Sequence, residues 1–137
     1  MVTPADYSAL VAQAIAARER AYCPYSGFAV GAAVLTASER IFPGCNVENA
    51  AYPATVCAER TALLSAYAAG EREIIAIAVV ADTPEPVSPC GTCRQVIHEL
   101  APRCAVILAN MRGDIYPTTP QELLPGGFTG DDLPAKQ

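Results

Sequence analysis

Residues 74–81 read IIAIAVVA, an apolar run without one polar side chain. A strand exposed on one face would alternate polar and apolar residues, whereas a short, continuous, β-branched run is typical of a strand covered on both faces. The run therefore predicts a central strand, with helices packed against each side of its sheet.

Two helices are predicted next to this strand along the chain. Residues 57–69 are rich in Ala and Leu, and Gly70 follows them as a left-handed cap. Residues 90–100 form the second helix, because Pro89 stands before them and Pro102 after them. The chain therefore enters and leaves the central strand region through helices.

An amphipathic first helix is predicted over about residues 7–22, with a break at residues 24–27. Its apolar positions recur at helical spacing: Leu10, Val11, Ala14, Ile15 and Ala17. Two strands are predicted at residues 28–36 and 40–47, and residues 37–39 between them are short enough for a hairpin.

Two further short strands are predicted at residues 104–109 and 114–118, separated by a turn at residues 111–113. The tail from Leu124 is expected to be a loop. The order α-β-β-α-β-α-β-β implies a three-layer α/β/α sandwich with a mixed five-stranded sheet. We expect a single domain over residues 1–137, because a chain of this length buries one core.

Composition and charge argue against several classes of protein. With 52% hydrophobic and 17% charged residues, the chain has enough apolar material to fold. Its net charge is −5 and it has no Lys/Arg cluster, which disfavours a nucleic-acid partner. We find no secretory signal and no stretch near about 18 uninterrupted apolar residues, so we expect a cytoplasmic protein with no membrane partner.

The six cysteines favour a metal site over disulfides, because two of them form a C-x-x-C pair in a core-rich chain. Cys57 opens one predicted helix, and the segment containing Cys90 and Cys93 opens the next. A helix N-terminus offers free N–H groups and the positive end of a dipole, which stabilise the thiolates that zinc requires. These three cysteines are therefore the predicted zinc ligands.

The occupancy of the fourth zinc position separates two interpretations. In a closed structural site, a fourth ligand would come from Cys23, Cys45, Cys104 or His98. In a catalytic site, three protein ligands leave that position open to water, whose pKa zinc lowers towards about 7. We favour the catalytic interpretation, with His98 structural and the other three cysteines as small core residues.

Glu59 is the predicted proton carrier of such a site. Residues two apart on a helix point to nearly opposite sides, but at the first turn both Cys57 and Glu59 can reach a pocket off the helix end. Glu59 is then a proton shuttle and not a ligand. The alternative is an acidic residue that complements the helix dipole.

Three thiolates and one zinc ion carry a net charge of minus one, which weakens the metal as an acid. Arg60 or Arg94 could donate hydrogen bonds to the sulfurs and withdraw charge. We favour Arg60 for this charge compensation, although either arginine could equally be a surface cation.

The chain resembles the cytidine deaminases of the short, homotetrameric, three-cysteine type. The matching segments are PYSGFAVGA (24–32), GCNVENA (44–50), CAERTA (57–62), PCGTCRQ (89–95) and LLPGGF (123–128). Zinc deaminases as a class carry H-x-E and P-C-x-x-C, and here cysteine replaces the histidine, as in this branch.

The resemblance implies a set of substrate contacts. Asn46 and Glu48 would hydrogen-bond the ribose hydroxyls, Phe28 would stack on the pyrimidine, and the Ala58 N–H would face the base. A neighbouring subunit would contribute three residues, which match Ala50, Tyr52 and Phe128. Shared active sites imply obligatory assembly, which in this type of enzyme is a homotetramer. The resemblance also implies one zinc ion per subunit, and the reaction requires no organic cofactor.

The implied reaction is the hydrolytic deamination of cytidine and 2′-deoxycytidine to uridine and 2′-deoxyuridine plus ammonia, a step of pyrimidine salvage. Glu59 would move protons from water to the ring nitrogen and to the departing amine. The alternatives are a deaminase of a nucleoside-like antibiotic such as blasticidin S, a polynucleotide deaminase, and a zinc-stabilised binding module without activity.

Overall fold

The computed structural model describes residues 4–135, and its centre is a mixed five-stranded sheet of order β2-β1-β3-β4-β5. The strands are β1 (Val30–Thr36), β2 (Ile41–Cys45), β3 (Ile74–Ala81), β4 (Ala105–Asn110) and β5 (Ile115–Thr118). β3 pairs antiparallel with β1 and parallel with β4, while the two outer pairings are antiparallel. The predicted central strand is confirmed, with the bounds expected from its apolar run.

The helices are α1 (Pro4–Arg18), α2 (Ala58–Ala68), α3 (Gly91–Leu100) and the short α4 (Pro120–Leu123). Side chains of β3 alternate between two cores, as the period of a strand requires. Ala76, Ala78 and Val80 pack with α1 on one face, whereas Ile77 and Val79 pack with α2 and α3 on the other. The predicted α/β/α sandwich is confirmed. Among residues 4–135 no helix is long and apolar enough to cross a membrane.

Two glycines let helices lie unusually close to the sheet. A Cβ on Gly31 would lie 2.0 Å from Ala14 O of α1, and a Cβ on Gly44 would lie 2.5 Å from Ala62 N and 2.7 Å from Ala58 O of α2. Because the obstacles are backbone atoms, neither contact can be relieved by a rotamer change. Gly44 therefore sets the distance between β2 and the first turn of α2.

The predicted boundaries near the first helix were wrong. α1 ends at Arg18, four residues before the expected position, because the backbone of Tyr22 pairs with the segment after β2. Tyr22 N donates to Asn46 O at 3.0 Å, and Glu48 N donates to Tyr22 O at 2.8 Å. β2 correspondingly ends at Cys45, and Val47 pairs with Tyr22 and Val56 outside the sheet.

Further differences lie at strand ends and in the tail. β1 begins at Val30, two residues later than predicted, and β4 runs from Ala105 to Asn110 instead of from 104 to 109. α4 was not predicted, although Thr119 caps it by accepting a hydrogen bond from Glu122 N. The expected loop after Leu124 contains one 3₁₀ turn, Gly130–Asp132.

Candidate active site

Three thiols meet where α2 and α3 begin. Cys57 is the N-cap of α2 and Cys90 the N-cap of α3, both with extended backbone, and Cys93 lies buried in the first turn of α3. Their Sγ atoms all lie within 4.8 Å of one another, and the Cys57 and Cys90 sulfurs are 3.9 Å apart. The beginnings of the two helices that carry the predicted zinc ligands therefore lie close together.

The spacing of the sulfurs fits a zinc ion. A tetrahedral zinc with Zn–S bonds of about 2.3 Å holds its sulfurs about 3.8 Å apart. Thiolates at helix N-termini are also the donors that zinc prefers. Within residues 4–135 the cluster consists of these three side chains, and the candidates for a fourth ligand, Cys23, Cys45, Cys104 and His98, lie outside it.

The prediction that the other three cysteines are core residues was right for one of them and wrong for two. Cys104 is buried as expected, and its burial raises the pKa of the thiol to about 12. Cys23 and Cys45, predicted to be core residues, are only half-buried, and the Cys45 thiol donates to Arg20 O at 3.4 Å. Both flank the Tyr22 to Val47 pairing, which keeps this part of the chain at the surface.

The thiols of the cluster differ in acidity. The pKa of Cys57 is lowered to about 5, first because the Cys93 thiol hydrogen-bonds to it and then because of the Arg60 guanidinium, with burial acting in the opposite direction. The pKa of Cys93 is raised, because it keeps the proton of that shared hydrogen bond and is itself buried. Cys57 is also the thiol that the Arg60 guanidinium contacts.

Arg60 is the arginine that reaches the sulfurs. Its Nη2 donates to Cys57 Sγ at 3.6 Å and to Thr55 O at 3.3 Å. Arg94 instead donates to the backbone carbonyls of Pro89, at 2.8 Å, and Leu123, at 2.6 Å. The geometry therefore agrees with the preference for Arg60 over Arg94 in the sequence analysis.

We expect Arg60→Ala to lower turnover per bound zinc by about 10- to 100-fold, because charge would no longer be withdrawn from the Cys57 sulfur. Zinc content should fall less than turnover. Both are measured on the same preparation, by metal analysis and by the rate of ammonia release. Arg72→Ala is the control, since Arg72 stacks on Tyr67 away from the thiols, and equal turnover per zinc in Arg60→Ala would contradict this role.

Glu59 lies at the same helix end as Cys57. Its side chain is only 5% exposed, it lines the cavity described below, and it is the second residue of α2. Burial is the main cause that raises the pKa of its carboxyl group. A raised pKa makes the carboxyl group a stronger base than an exposed glutamate, as a residue that takes up and releases protons requires.

A cavity of about 380 Å³ opens in front of the cluster and contains most of the predicted site. It is lined by six predicted residues besides Glu59: Phe28, Asn46, Glu48, Cys57, Ala58 and Cys90. Seven lining residues were not predicted: Ser26, Val30, Thr55, Val79, Val87, Ser88 and Pro89. Ser26, Val30 and Pro89 belong to the motifs quoted above, so a signal existed for them, but the other four lie outside those motifs.

Asn46 and Glu48, the two residues predicted to bind the ribose, form hydrogen bonds to the protein segment around Phe28. Asn46 Nδ2 donates to Phe28 O at 2.8 Å, and Asn46 Oδ1 accepts from Val30 N at 2.9 Å. These bonds leave the amide one hydrogen and one lone pair. Glu48 accepts hydrogen bonds from Tyr25 N at 2.9 Å and from Ser26 N at 3.1 Å.

The three residues predicted to serve a neighbouring subunit lie outside the cavity of their own chain. Tyr52 is 72% and Phe128 53% exposed, and Ala50 is exposed as well. The Tyr52 ring contacts Tyr25 edge-on, with centroids 6.0 Å apart. Exposed aromatic side chains such as these are available to a second chain.

Comparisons with known proteins agree on one family. Residues 4–109 match the sequence model of the cytidine and deoxycytidylate deaminase zinc-binding region. A cytidine deaminase of Halalkalibacterium halodurans is 55% identical over 93% of this chain and 98% of its own. The crystal structure of a cytidine deaminase from Burkholderia pseudomallei, 54% identical, superposes with a TM-score of 0.87 over 89% of this chain and 98% of its own. A blasticidin-S deaminase of Bacillus cereus is more distant, at 35% identity over 73% of this chain and 76% of its own.

Proposed function

We propose that this chain, which belongs to the cytidine and deoxycytidylate deaminase family, catalyses the zinc-dependent hydrolytic deamination of cytidine and 2′-deoxycytidine. The products are uridine or 2′-deoxyuridine and ammonia. One observation carries the proposal: two thiols of the three-cysteine cluster, Cys57 and Cys90, line the same cavity as the buried Glu59 carboxyl group. The identity to cytidine deaminases over nearly the whole chain favours this substrate over blasticidin S.

Cys57, Cys90 and Cys93 would hold one zinc ion per subunit. A bound zinc ion acts as a Lewis acid and lowers the pKa of water to about 7. Arg60 offsets the excess negative charge of the thiolates through its bond to Cys57. Cys57 and Cys90 are the N-caps of α2 and α3, where free backbone N–H groups can donate hydrogen bonds to metal-bound thiolates.

Glu59 moves the protons. Its carboxylate oxygen takes a proton from the attacking water and delivers it to N3 of the pyrimidine, which makes C4 electrophilic. The oxygen of that water then forms a bond to C4. The hydroxyl group so formed gives up its proton, which passes through the same carboxylate oxygen to the amine; the C4–N bond breaks, ammonia leaves, and C4 keeps the oxygen as the carbonyl of uridine. Burial supports this role, because it disfavours the charged form and so raises the pKa of the Glu59 carboxyl group above its usual value.

The remaining lining residues orient the nucleoside. Phe28 stacks on the pyrimidine, and the N–H of Ala58, which has no intrahelical acceptor at the first turn of α2, faces the base. Asn46 uses its remaining hydrogen and lone pair on a ribose hydroxyl. Glu48 accepts a hydrogen bond from a ribose hydroxyl, as argued further below.

The assembly and cellular setting are also proposals. A homotetramer would supply Ala50, Tyr52 and Phe128 to neighbouring cavities, and residues 1–137 would form a single catalytic domain. Reduced thiols at the metal site favour a cytoplasmic location, where the enzyme would serve pyrimidine salvage. Neither nucleic acid nor membrane is a partner in this proposal, and no organic cofactor takes part.

Zinc analysis coupled to a cytidine assay tests the function. We expect about one zinc ion per chain and loss of the cytidine absorbance with stoichiometric release of ammonia, both abolished by a chelator and restored by zinc. Blasticidin S and a cytosine-containing oligonucleotide are assayed in parallel and should react far more slowly. Zinc-loaded protein that leaves cytidine unchanged would refute the proposal.

A further inference from the structure

The hydroxyl group of Ser26 connects two residues of the cavity. Ser26 Oγ donates a hydrogen bond to Glu48 Oε2 and accepts one from Phe28 N at 3.0 Å. All three residues line the cavity that contains Glu59. Ser26 is 22 residues from Glu48 along the chain, so the contact exists only in the folded protein.

The hydrogen bonds to Glu48 nearly saturate its carboxylate. Oε1 accepts from the backbone N–H groups of Tyr25 and Ser26, and Oε2 accepts from the Ser26 hydroxyl. A carboxylate offers about four lone-pair positions, so about one remains, and it lies on Oε2. Three donors on two oxygens also fix the plane of the carboxylate.

The same donors keep Glu48 ionised. The hydrogen bond from Ser26 Oγ is the largest cause that lowers the pKa of this carboxyl group, followed among the lowering causes by the two backbone N–H groups. An ionised carboxylate can only accept hydrogen bonds. A group that binds the remaining lone pair of Glu48 must therefore be a hydrogen-bond donor, such as a sugar hydroxyl.

We propose that Ser26 is a positioning residue that holds Glu48 so that its last free lone pair accepts a hydrogen bond from a single sugar hydroxyl of the nucleoside. This inference rests on the proposed function, because that function places a ribose in the cavity. Ser26 acts through Glu48 and does not touch the reacting atoms.

A purely structural role for Ser26 makes a different prediction. If the hydroxyl only stabilised the turn through Phe28 N, its loss would disturb the base-stacking residue and weaken every nucleoside alike. If it acts through Glu48, its loss weakens only nucleosides that carry the hydroxyl. Uridine and 2′,3′-dideoxyuridine share the base and differ in the sugar hydroxyls, so they separate the two roles.

The test measures calorimetric dissociation constants of zinc-loaded protein for these two nucleosides. In Ser26→Ala we expect the constant for uridine to rise about tenfold and that for 2′,3′-dideoxyuridine to change less than twofold. Ser26→Thr keeps the hydroxyl and should restore binding of uridine. Ser38→Ala is the matched control, because Ser38 Oγ donates to the Glu71 carboxylate at 2.7 Å outside the cavity. Equal weakening of both nucleosides, or of neither, would overturn the proposal.

Turnover on cytidine, measured on the same preparations, keeps the two proposals apart. We expect Ser26→Ala to raise KM about tenfold with kcat within about twofold of wild type. Wild-type protein that binds uridine but does not deaminate cytidine would refute the proposed function, while the comparison of the two nucleosides still decides the role of Ser26. Wild-type protein that deaminates cytidine, together with a Ser26→Ala variant whose KM is unchanged, would overturn the role of Ser26 and leave the proposed function intact.

Discussion

Glu59→Gln is expected to lower kcat for cytidine on the order of 10³- to 10⁴-fold while zinc and fold are kept. Glutamine has nearly the size of glutamate, so it fits the same buried position at the start of α2. Its amide can donate a hydrogen bond but cannot take up and release a proton at neutral pH. The substitution therefore removes proton transfer and leaves binding nearly intact.

The measurement combines kcat, KM and zinc content for each variant. KM should change much less than kcat, since the lost interaction exists mainly in the transition state. Glu99→Gln is the control, because Glu99 is exposed on α3 and outside the cavity, and it should behave as wild type. Near-normal turnover of Glu59→Gln with a full complement of zinc would remove Glu59 from the mechanism.

The parts of the fold that the sequence predicts well are those whose signals are local. β3 begins and ends where its apolar run does, and α2 is followed by Gly70 with a positive φ of 91°. Both cysteine segments cap helices, as the flanking residues indicated. Each of these elements is specified by its own residues, so no distant contact can move its ends far.

The errors concentrate where distant backbone segments pair. Tyr22, Val47 and Val56 form isolated bridges with one another, which end α1 and β2 earlier than their periodicity suggests. Helical spacing of apolar residues gives no information about a partner that lies 25 residues away along the chain. Such a partner is visible only in the folded molecule.

The candidate site likewise contains features that local sequence predicts and features that depend on distant contacts. The three cysteines and Glu59 follow from motif spacing, because the chemistry of a zinc deaminase restricts both residue types and distances. The choice between Arg60 and Arg94 depends on which guanidinium reaches a sulfur, and neighbouring positions in sequence do not decide it. The bridging role of Ser26 likewise depends on hydrogen bonds between segments far apart along the chain.

Cys93→Ala is expected to abolish most zinc binding and, with it, turnover. Zinc binds zinc-finger peptides with about 10–16 kcal/mol, so the share of one ligand among three or four is a few kcal/mol, or on the order of 10²-fold or more in affinity. The remaining pair, Cys57 and Cys90, sits at the more exposed side of the cluster. Competition with a chromogenic chelator measures the loss of affinity directly.

Cys104→Ala separates this effect from the cost of altering a buried cysteine. Cys104 is as deeply buried as Cys93, but its sulfur lies outside the cluster, so the variant should be slightly less stable and keep both zinc and turnover. Loss of zinc in Cys93→Ala, but not in Cys104→Ala, would identify Cys93 as a zinc ligand. Equal loss in both variants, with folding intact by circular dichroism, would instead indicate that Cys104 coordinates the metal, and a four-sulfur site would have no open position for catalysis.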